Sequence, residues 1–303
     1  MSRVLGLDIG GTQSRAQLCT DGEVVAESRA ASASLVAVGA ANARAALADL
    51  LAQLPLPPRH RLDAICAGAA GCSVPATRQF LIDQLAPLTR PGTVVIVKDA
   101  MLALPAAGLA EGVALICGTG SVAIGSYHGG EVQSGGWGYL LGDEGSGYWM
   151  VRAALRVLLD RRDRGIPAGE LGDRLLSAAG ADHIGTLHER FYAQPRPRRW
   201  ACYAPLVLAS ADPAAAQITA DAARALAGLA VSAAERLGAP AGLPVVLSGG
   251  LFGHAGLEAM VRILIEGARP GSDVRTLSQQ PVTGAVRLAQ AAAEPGGCSR
   301  RAG

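Results

Sequence analysis

The order of apolar and polar positions divides the chain into two stretches that read alike. Residues 3–18 run strand, turn, strand: Val4-Leu5-Gly6-Leu7-Asp8-Ile9 ends at Gly10-Gly11-Thr12, and Gln13 to Leu18 resumes as a second strand. Thr20-Asp21-Gly22 then turns the chain into Val24-Val25-Ala26, so the opening predicts an antiparallel set. Residues 40–54 carry apolar positions at helical spacing and stop before Pro55. Residues 62–70 (LDAICAGAA) read as a buried strand, 75–88 as a second helix and 93–97 (TVVIV) as a second buried strand. The pattern restarts at 113–117, with Gly118-Thr119-Gly120-Ser121 as its turn and 122–127 as the returning strand. Helices are then expected at 149–160, 182–192, 201–210 and 213–237, a buried strand at 244–248, and helices at 254–266 and 282–293.

Two copies of a β-hairpin followed by helices and buried strands imply an α/β protein of two similar lobes, with the active residues facing a cleft. The expected division is 1–108 together with a C-terminal helix of about 283–294, then 109–282, with a polar, glycine-rich tail at 295–303 that frays. At 303 residues the chain is long enough for two ordinary cores. It is 50% hydrophobic and 17% charged, with a formal charge of +2. That balance suits a globular protein and gives no reason to expect nucleic acid or a membrane surface as partner. Arg196, Arg198 and Arg199 form a short, proline-interleaved cluster that reads as a solvated loop.

Six cysteines contain no C-x-x-C pair, and Cys19, Cys66 and Cys117 lie in or beside apolar runs, so they read as small buried hydrophobes in a reducing compartment. The five histidines show no metal-ligand spacing. The first residues lack the basic and apolar regions of a signal peptide, and the apolar runs fall short of a membrane span. A soluble, cytoplasmic protein is the expectation.

The chemistry concentrates in the glycine-rich runs. At Gly10-Gly11-Thr12 and again at Gly118 to Ser121, glycines let backbone N–H groups and hydroxyls wrap an anion. Neither run is a Walker loop, because no G-x-x-x-x-G-K-[ST] occurs. Neither is a dinucleotide fingerprint, since each leads into a strand and not a helix. Asp8 stands at a strand end, where it either caps the turn or holds Mg²⁺ through water. Asp99 follows the 93–97 strand at the carboxyl edge of the sheet, where ligands gather in open α/β sheets. The run Gly135-Gly136-Trp137-Gly138 through Gly142-Asp143-Glu144-Gly145-Ser146-Gly147 combines an aromatic with two carboxylates, a set suited to a polar ligand approached by backbone. Trp137 reads either as a flat apolar face for a ligand ring or as lobe packing. Asp143 and Glu144 read either as ligand acceptors or as caps of the helix that follows.

Five ordered motifs, LDIGGTQSRAQL at 7–18, VKDA at 97–100, ICGTGSV at 116–122, GGWGYLLGDEGSGYW at 135–149 and VVLSGGL at 245–251, resemble the sugar kinase–Hsp70–actin superfamily. The fourth resembles its branch of N-acetylglucosamine kinases and bacterial glucosamine kinases, within the BadF/BadG/BcrA/BcrD ATPase family. The resemblance implies two ribonuclease H-like, actin-like ATPase lobes. It also implies an ATP-dependent kinase acting on the 6-hydroxyl of N-acetylglucosamine or glucosamine, with Mg²⁺ and as a homodimer.

Carried onto this chain, the resemblance makes Asp99 the catalytic base and gives Asp8, Gly10, Gly11 and Thr12 the Mg²⁺–phosphate end of ATP. Gly118, Thr119 and Gly120 become the second phosphate turn, and Gly249 and Gly250 lie against adenosine. Ser121, Val122, Gly136, Trp137, Gly138 and Asp143 bind the sugar. Ser34 stands where relatives often carry Asn; it reaches less far, which leaves the amino sugar open. The alternative within the superfamily is an ATPase coupled to a protein partner. Such activators use closely placed cysteines, and only Cys66 and Cys72 come near that here.

Overall fold

The computed structural model describes residues 2–56, 62–89, 93–194 and 196–294. The expected tail 295–303, with Cys298, and His60 lie outside the described residues. The chain divides into two compact units, 1–110 with 277–303, and 111–276. The second boundary falls after Thr276, so residues 277–282, expected with the second lobe, group with the first unit.

In the first unit, β1 (Arg3–Ile9), β2 (Gln13–Thr20) and β3 (Glu23–Ala31) form an antiparallel meander. Asp21 and Gly22 both take positive φ, 49° and 90°, which suits a two-residue hairpin turn and the sheet's twist. β4 (Ala64–Ala69) and β5 (Val94–Val97) add in parallel, giving the order β3-β2-β1-β4-β5. All six residues of β4 are buried, because both faces of the sheet are covered. One face packs against α1 (Leu35–Ala52) and α2 (Pro75–Leu85) through Leu47, Leu50, Leu81 and Leu85. The other packs Val4, Ala64 and Cys66 against Leu102, just before the short helix α3 (Ala103–Ala106), and against the C-terminal helix α11 (Pro281–Ala293) through Ala285, Val286 and Ala289. Gly284 and Gly6 permit that contact: a Cβ on Gly284 would stand 2.0 Å from the Leu102 carbonyl oxygen, and one on Gly6 2.6 Å from the Val286 nitrogen.

α1 corrects the reading of the apolar runs. It begins at Leu35, five residues earlier than expected, continues through a kink at Gly39, and is long and apolar enough by length and composition to cross a membrane. Gly39, Asn42, Arg44 and Asp49 interrupt the run and conceal that length in the sequence. Its residues Ala43, Leu47 and Leu50 are buried.

The second unit repeats the first. β6 (Gly112–Cys117), β7 (Ser121–Tyr127) and β8 (Gly130–Gly135) are antiparallel, β9 (Val245–Ser248) and β10 (Val274–Thr276) join in parallel, and the order is β10-β9-β6-β7-β8. A helical layer, α4 (Gly147–Asp163), α5 (Gly169–Ala179), α6 (Ile184–Ala193), α7 (Pro197–Ala201), α8 (Ala204–Leu208), α9 (Pro213–Arg236) and α10 (Ala255–Ala268), buries its apolar faces in one core with β6 and β9.

Three elements depart from the sequence pattern. β8 (GEVQSG) is too polar to stand out, and three-residue β10 is too short. The stretch 201–210 is not one helix, because Pro205 cannot donate into a continuing helix and instead sits in the first turn of α8. Asp143 and Glu144 do not cap α4; Ser146 does, accepting from the Trp149 N–H at 3.2 Å. His183 and His254 cap α6 and α10 in the same way.

Candidate functional site

The first unit places its polar groups at the carboxyl ends of β1 and β5. The β1–β2 turn closes with the Gly10 N–H donating to the Gln13 carbonyl at 3.1 Å, and the Ser32 hydroxyl holds the Gly10 carbonyl at 2.9 Å. A Cβ on Gly11 would meet nothing within 4 Å. Asp8 and Arg15 are direct cross-strand partners, and the Arg15 guanidinium donates to the Gln280 side chain at 3.2 Å. Arg15 escaped the motif reading, yet the hairpin register identifies it once the turn is fixed at Gly10–Gln13.

Asp99 opens a 3₁₀ turn (Asp99–Leu102) just past β5, its carboxylate accepting the Ala100 N–H at 3.0 Å. Burial first, and then the nearby Asp99, push Asp8 up to about 7, with Arg15 opposing. Burial also raises Asp99. Two half-buried carboxylates that each resist ionisation would gain from a nearby cation, and hard carboxylate oxygens are the donor type that Mg²⁺ takes. Ser34 is 2% exposed and its hydroxyl donates to the Ala70 carbonyl at 3.3 Å. In this structure the hydroxyl is committed to backbone.

The second unit binds its glycine turn and its long loop together. The Gly118 N–H closes the turn on the Gly120 carbonyl at 2.9 Å. The first residues of α4 then return to it: the Gly147 N–H donates to the Gly118 carbonyl at 2.9 Å and the Tyr148 N–H to that of Thr119 at 3.3 Å. Ser121 spends its polar groups on the loop. Its carbonyl accepts from the Gly136 N–H at 3.0 Å, its hydroxyl donates to the Glu144 carbonyl at 2.7 Å, and its N–H donates to the Asp143 carboxylate at 3.4 Å. Val122 packs under Gly136, where a Cβ would stand 2.9 Å from a Val122 methyl.

Asp143 adopts φ 59°, a conformation that residues with side chains seldom hold. Burial raises its carboxyl. Trp137 is 72% exposed, which removes the packing alternative; Leu140 and Leu141 are 74% and 84% exposed beside it. After β9, a Cβ on Gly249 would lie 2.2 Å from the Cys117 carbonyl oxygen, so the backbone itself demands glycine there. Gly250, in contrast, faces open space.

The model of the BadF/BadG/BcrA/BcrD ATPase family matches residues 5–289. The chain belongs to this family. Among solved structures, it is 27% identical to a candidate N-acetylglucosamine kinase from Chromobacterium violaceum, with a TM-score of 0.76 over 96% of this chain and 99% of that one. A ROK family glucokinase from Streptomyces griseus, solved with glucose and AMPPNP, shares the fold at 15% identity and a TM-score of 0.58, over 95% and 98% of the two chains. The N-acetylmuramic acid/N-acetylglucosamine kinase of Clostridium acetobutylicum is 30% identical over 199 residues, 62% of this chain and 65% of that relative. The N-acetyl-D-glucosamine kinase of Dictyostelium discoideum is 32% identical over 205 residues, 63% and 64% of the two. The chain thus aligns with just under two thirds of the length of these two curated relatives. The two five-stranded α/β units have the actin-like fold of this family's sugar kinases.

Proposed function

We propose that this protein is an ATP-dependent amino-sugar kinase that phosphorylates the 6-hydroxyl of N-acetylglucosamine or glucosamine. The observation that carries the reading is the pair of half-buried carboxylates, Asp8 and Asp99, at the carboxyl ends of β1 and β5, both disfavoured as anions by their surroundings. The likeness to the Chromobacterium violaceum protein along nearly its whole length supports the choice of sugar.

Asp99 accepts the proton of the sugar hydroxyl as its oxygen bonds to the γ-phosphorus; the bond from that phosphorus to the β–γ bridging oxygen breaks, and ADP leaves. Asp8 would hold Mg²⁺ through water, and the bound ion supplies charge neutralisation at the phosphates. Gly11 and Thr12 in the first glycine turn, and Thr119 in the second, offer backbone donors to phosphate, the N–H groups of Gly10 and Gly118 being used to close those turns, while open space at Gly250 suits adenosine. Asp143 accepts from sugar hydroxyls, with Trp137 as a ring face. Ser34, buried on Ala70, gives no grip on a 2-acetamido group in this conformation, which keeps glucosamine in view. A homodimer and a cytoplasmic location belong to the same reading.

The test is ADP release with Mg²⁺–ATP against N-acetylglucosamine, glucosamine, N-acetylmannosamine, glucose and no sugar. Turnover with one amino sugar supports the kinase and names its substrate. Hydrolysis indifferent to every sugar supports the partner-coupled ATPase instead. That second reading draws no help from Cys66 and Cys72, both buried.

A further inference from the structure

We infer that Gly120, although it sits in the second glycine turn, serves the acceptor sugar and not the nucleotide, because the space left by its missing side chain is the seat of the Asp143 carboxylate, held there by Ser121 as a positioning residue. The inference rests on the kinase reading for the identity of the ligands; the lock itself does not.

The two glycines of the turn differ in what surrounds them. A Cβ on Gly118 would meet nothing within 4 Å. A Cβ on Gly120 would stand 2.7 Å from Asp143 Oδ2, 2.9 Å from its Cγ and 3.1 Å from Oδ1. Gly120 has no positive φ, so backbone conformation does not require glycine there; the carboxylate does. Asp143 in turn holds φ 59°, a left-handed conformation that aspartate adopts more readily than most side chains, as Asp21 does at φ 49°, and that its neighbours enforce here. The Ser121 N–H on Oδ1, the Ser121 hydroxyl on the next residue's carbonyl, and the Ser146 N–H on the Asp143 carbonyl at 3.1 Å supply that enforcement. Ser121 is buried and begins β7, so the anchor is part of the sheet. With its N–H, hydroxyl and carbonyl all bonded to the loop, its task is to place Asp143. The turn therefore has a nucleotide side at Gly118 and an acceptor side at Gly120.

The experiment compares Gly118→Ala, Gly120→Ala, Ser121→Ala, Asp143→Ala and the double variant Gly120→Ala/Asp143→Ala with the unmodified protein. Amide hydrogen exchange reports residues 136–146, and steady-state kinetics reports KM for ATP and for N-acetylglucosamine. Calorimetry with AMPPNP and with N-acetylglucosamine gives affinities apart from turnover. Gly120→Ala and Ser121→Ala are expected to speed exchange in 136–146. They raise KM for the sugar about 10-fold or more, the scale of a lost hydrogen bond to a charged group, while KM for ATP stays within about 2-fold. Gly118→Ala does the reverse, weakening AMPPNP and leaving loop exchange unchanged.

In the double variant the alanine methyl has no carboxylate to displace, so the two changes are not additive. Unchanged loop exchange in Gly120→Ala, additive effects in the double variant, or a rise in KM for ATP matching that for the sugar overturns the inference. If the unmodified protein phosphorylates no sugar while the exchange results hold, the kinase reading falls and the Asp143 lock stands.

Discussion

In the first unit the last-but-one paired residue before the hairpin turn is Asp8, facing Arg15 across the strands; at the equivalent place in the second unit it is Ile116, facing Val122. The strand orders match, and the turns differ by one residue: four residues separate paired Ile9 and Ser14, and three separate paired Cys117 and Ser121. One unit thus brings charge to its turn from its own sheet, through Asp8 and then Asp99. The other has an apolar pair there and imports its carboxylate, Asp143, from a loop more than twenty residues on. The same scaffold gives a face of titratable carboxylates in one copy and a loop braced by Ser121 in the other; on the proposed kinase reading, the first would do proton and metal work and the second would recognise the sugar.

The largest expected effect sharpens that division. Asp99→Asn keeps the fold and the binding of AMPPNP but lowers kcat for sugar phosphorylation by about 10³-fold, the scale of a removed general base. ADP-release kinetics with calorimetry checks it. Turnover within 10-fold of the unmodified protein would mean that the chemistry does not belong to the first unit's carboxylates.

The next test addresses the strand beside each turn. Ile9 pairs with Ala69, which carries its Cβ without difficulty, whereas Gly249 follows the last paired residue, Ser248, and approaches Cys117 so closely that none fits. Gly249→Ala should cost about 3 kcal/mol or more through backbone clash at φ 109°. Gly250→Ala should leave thermal stability within about 0.5 kcal/mol, because its Cβ enters open space, and instead weaken AMPPNP. Equal melting temperatures for the two variants would erase the distinction.

These contrasts also mark what a sequence can carry. The hairpin β1–β2–β3 was legible because alternation and Asp21-Gly22 act within a few residues, and the actin-like family was legible because its glycine runs recur at fixed order along the chain. Strand β8 was not, since GEVQSG has no apolar period, and neither was the break between α7 and α8, where one proline overrides a helical pattern. Candidate site residues could be named from the sequence, but the contacts that hold them in place could not. That Gly249 answers to Cys117, Gly120 to Asp143, and Ser34 to Ala70 depends on contacts across 20 to more than 100 positions, which no local spacing encodes. Trp137 was left between two readings until its exposure decided against packing.

Titration separates the units from the alkaline side. Asp8 binds its proton more tightly folded than unfolded, so its contribution to stability is complete below about pH 4 and is lost as pH rises through about 7. In metal-free buffer, Asp8→Asn should therefore be more stable than the unmodified protein at pH 8, by about 2–4 kcal/mol, with the gap narrowing as pH falls and nearly gone by about pH 4. Urea unfolding at both pH values measures it, and a gap that does not change with pH would mean that Asp8 is not held protonated by its surroundings.

The smallest effect comes from the acid side and from the second unit, whose buried charge is structural. Arg161 grips Asp212 with two hydrogen bonds of 2.7 Å, and Asp212 also caps α9 through the Ala214 N–H. That guanidinium holds Asp212 down at about 2, the opposite direction from Asp8. A carboxylate bound more tightly as an anion adds stability above about pH 4, and loses it as pH falls through about 2. The pair is worth about 1–2 kcal/mol by this route, after allowance for solvent at the arginine. Between pH 4 and 2 the unmodified protein should therefore lose stability more steeply than Asp212→Asn, as read by urea midpoints at half-unit steps. A parallel pair of curves would mean that the salt bridge does not set the acid limb. It would also remove the contrast between Asp8, whose surroundings favour its protonated form, and Asp212, which Arg161 keeps ionised.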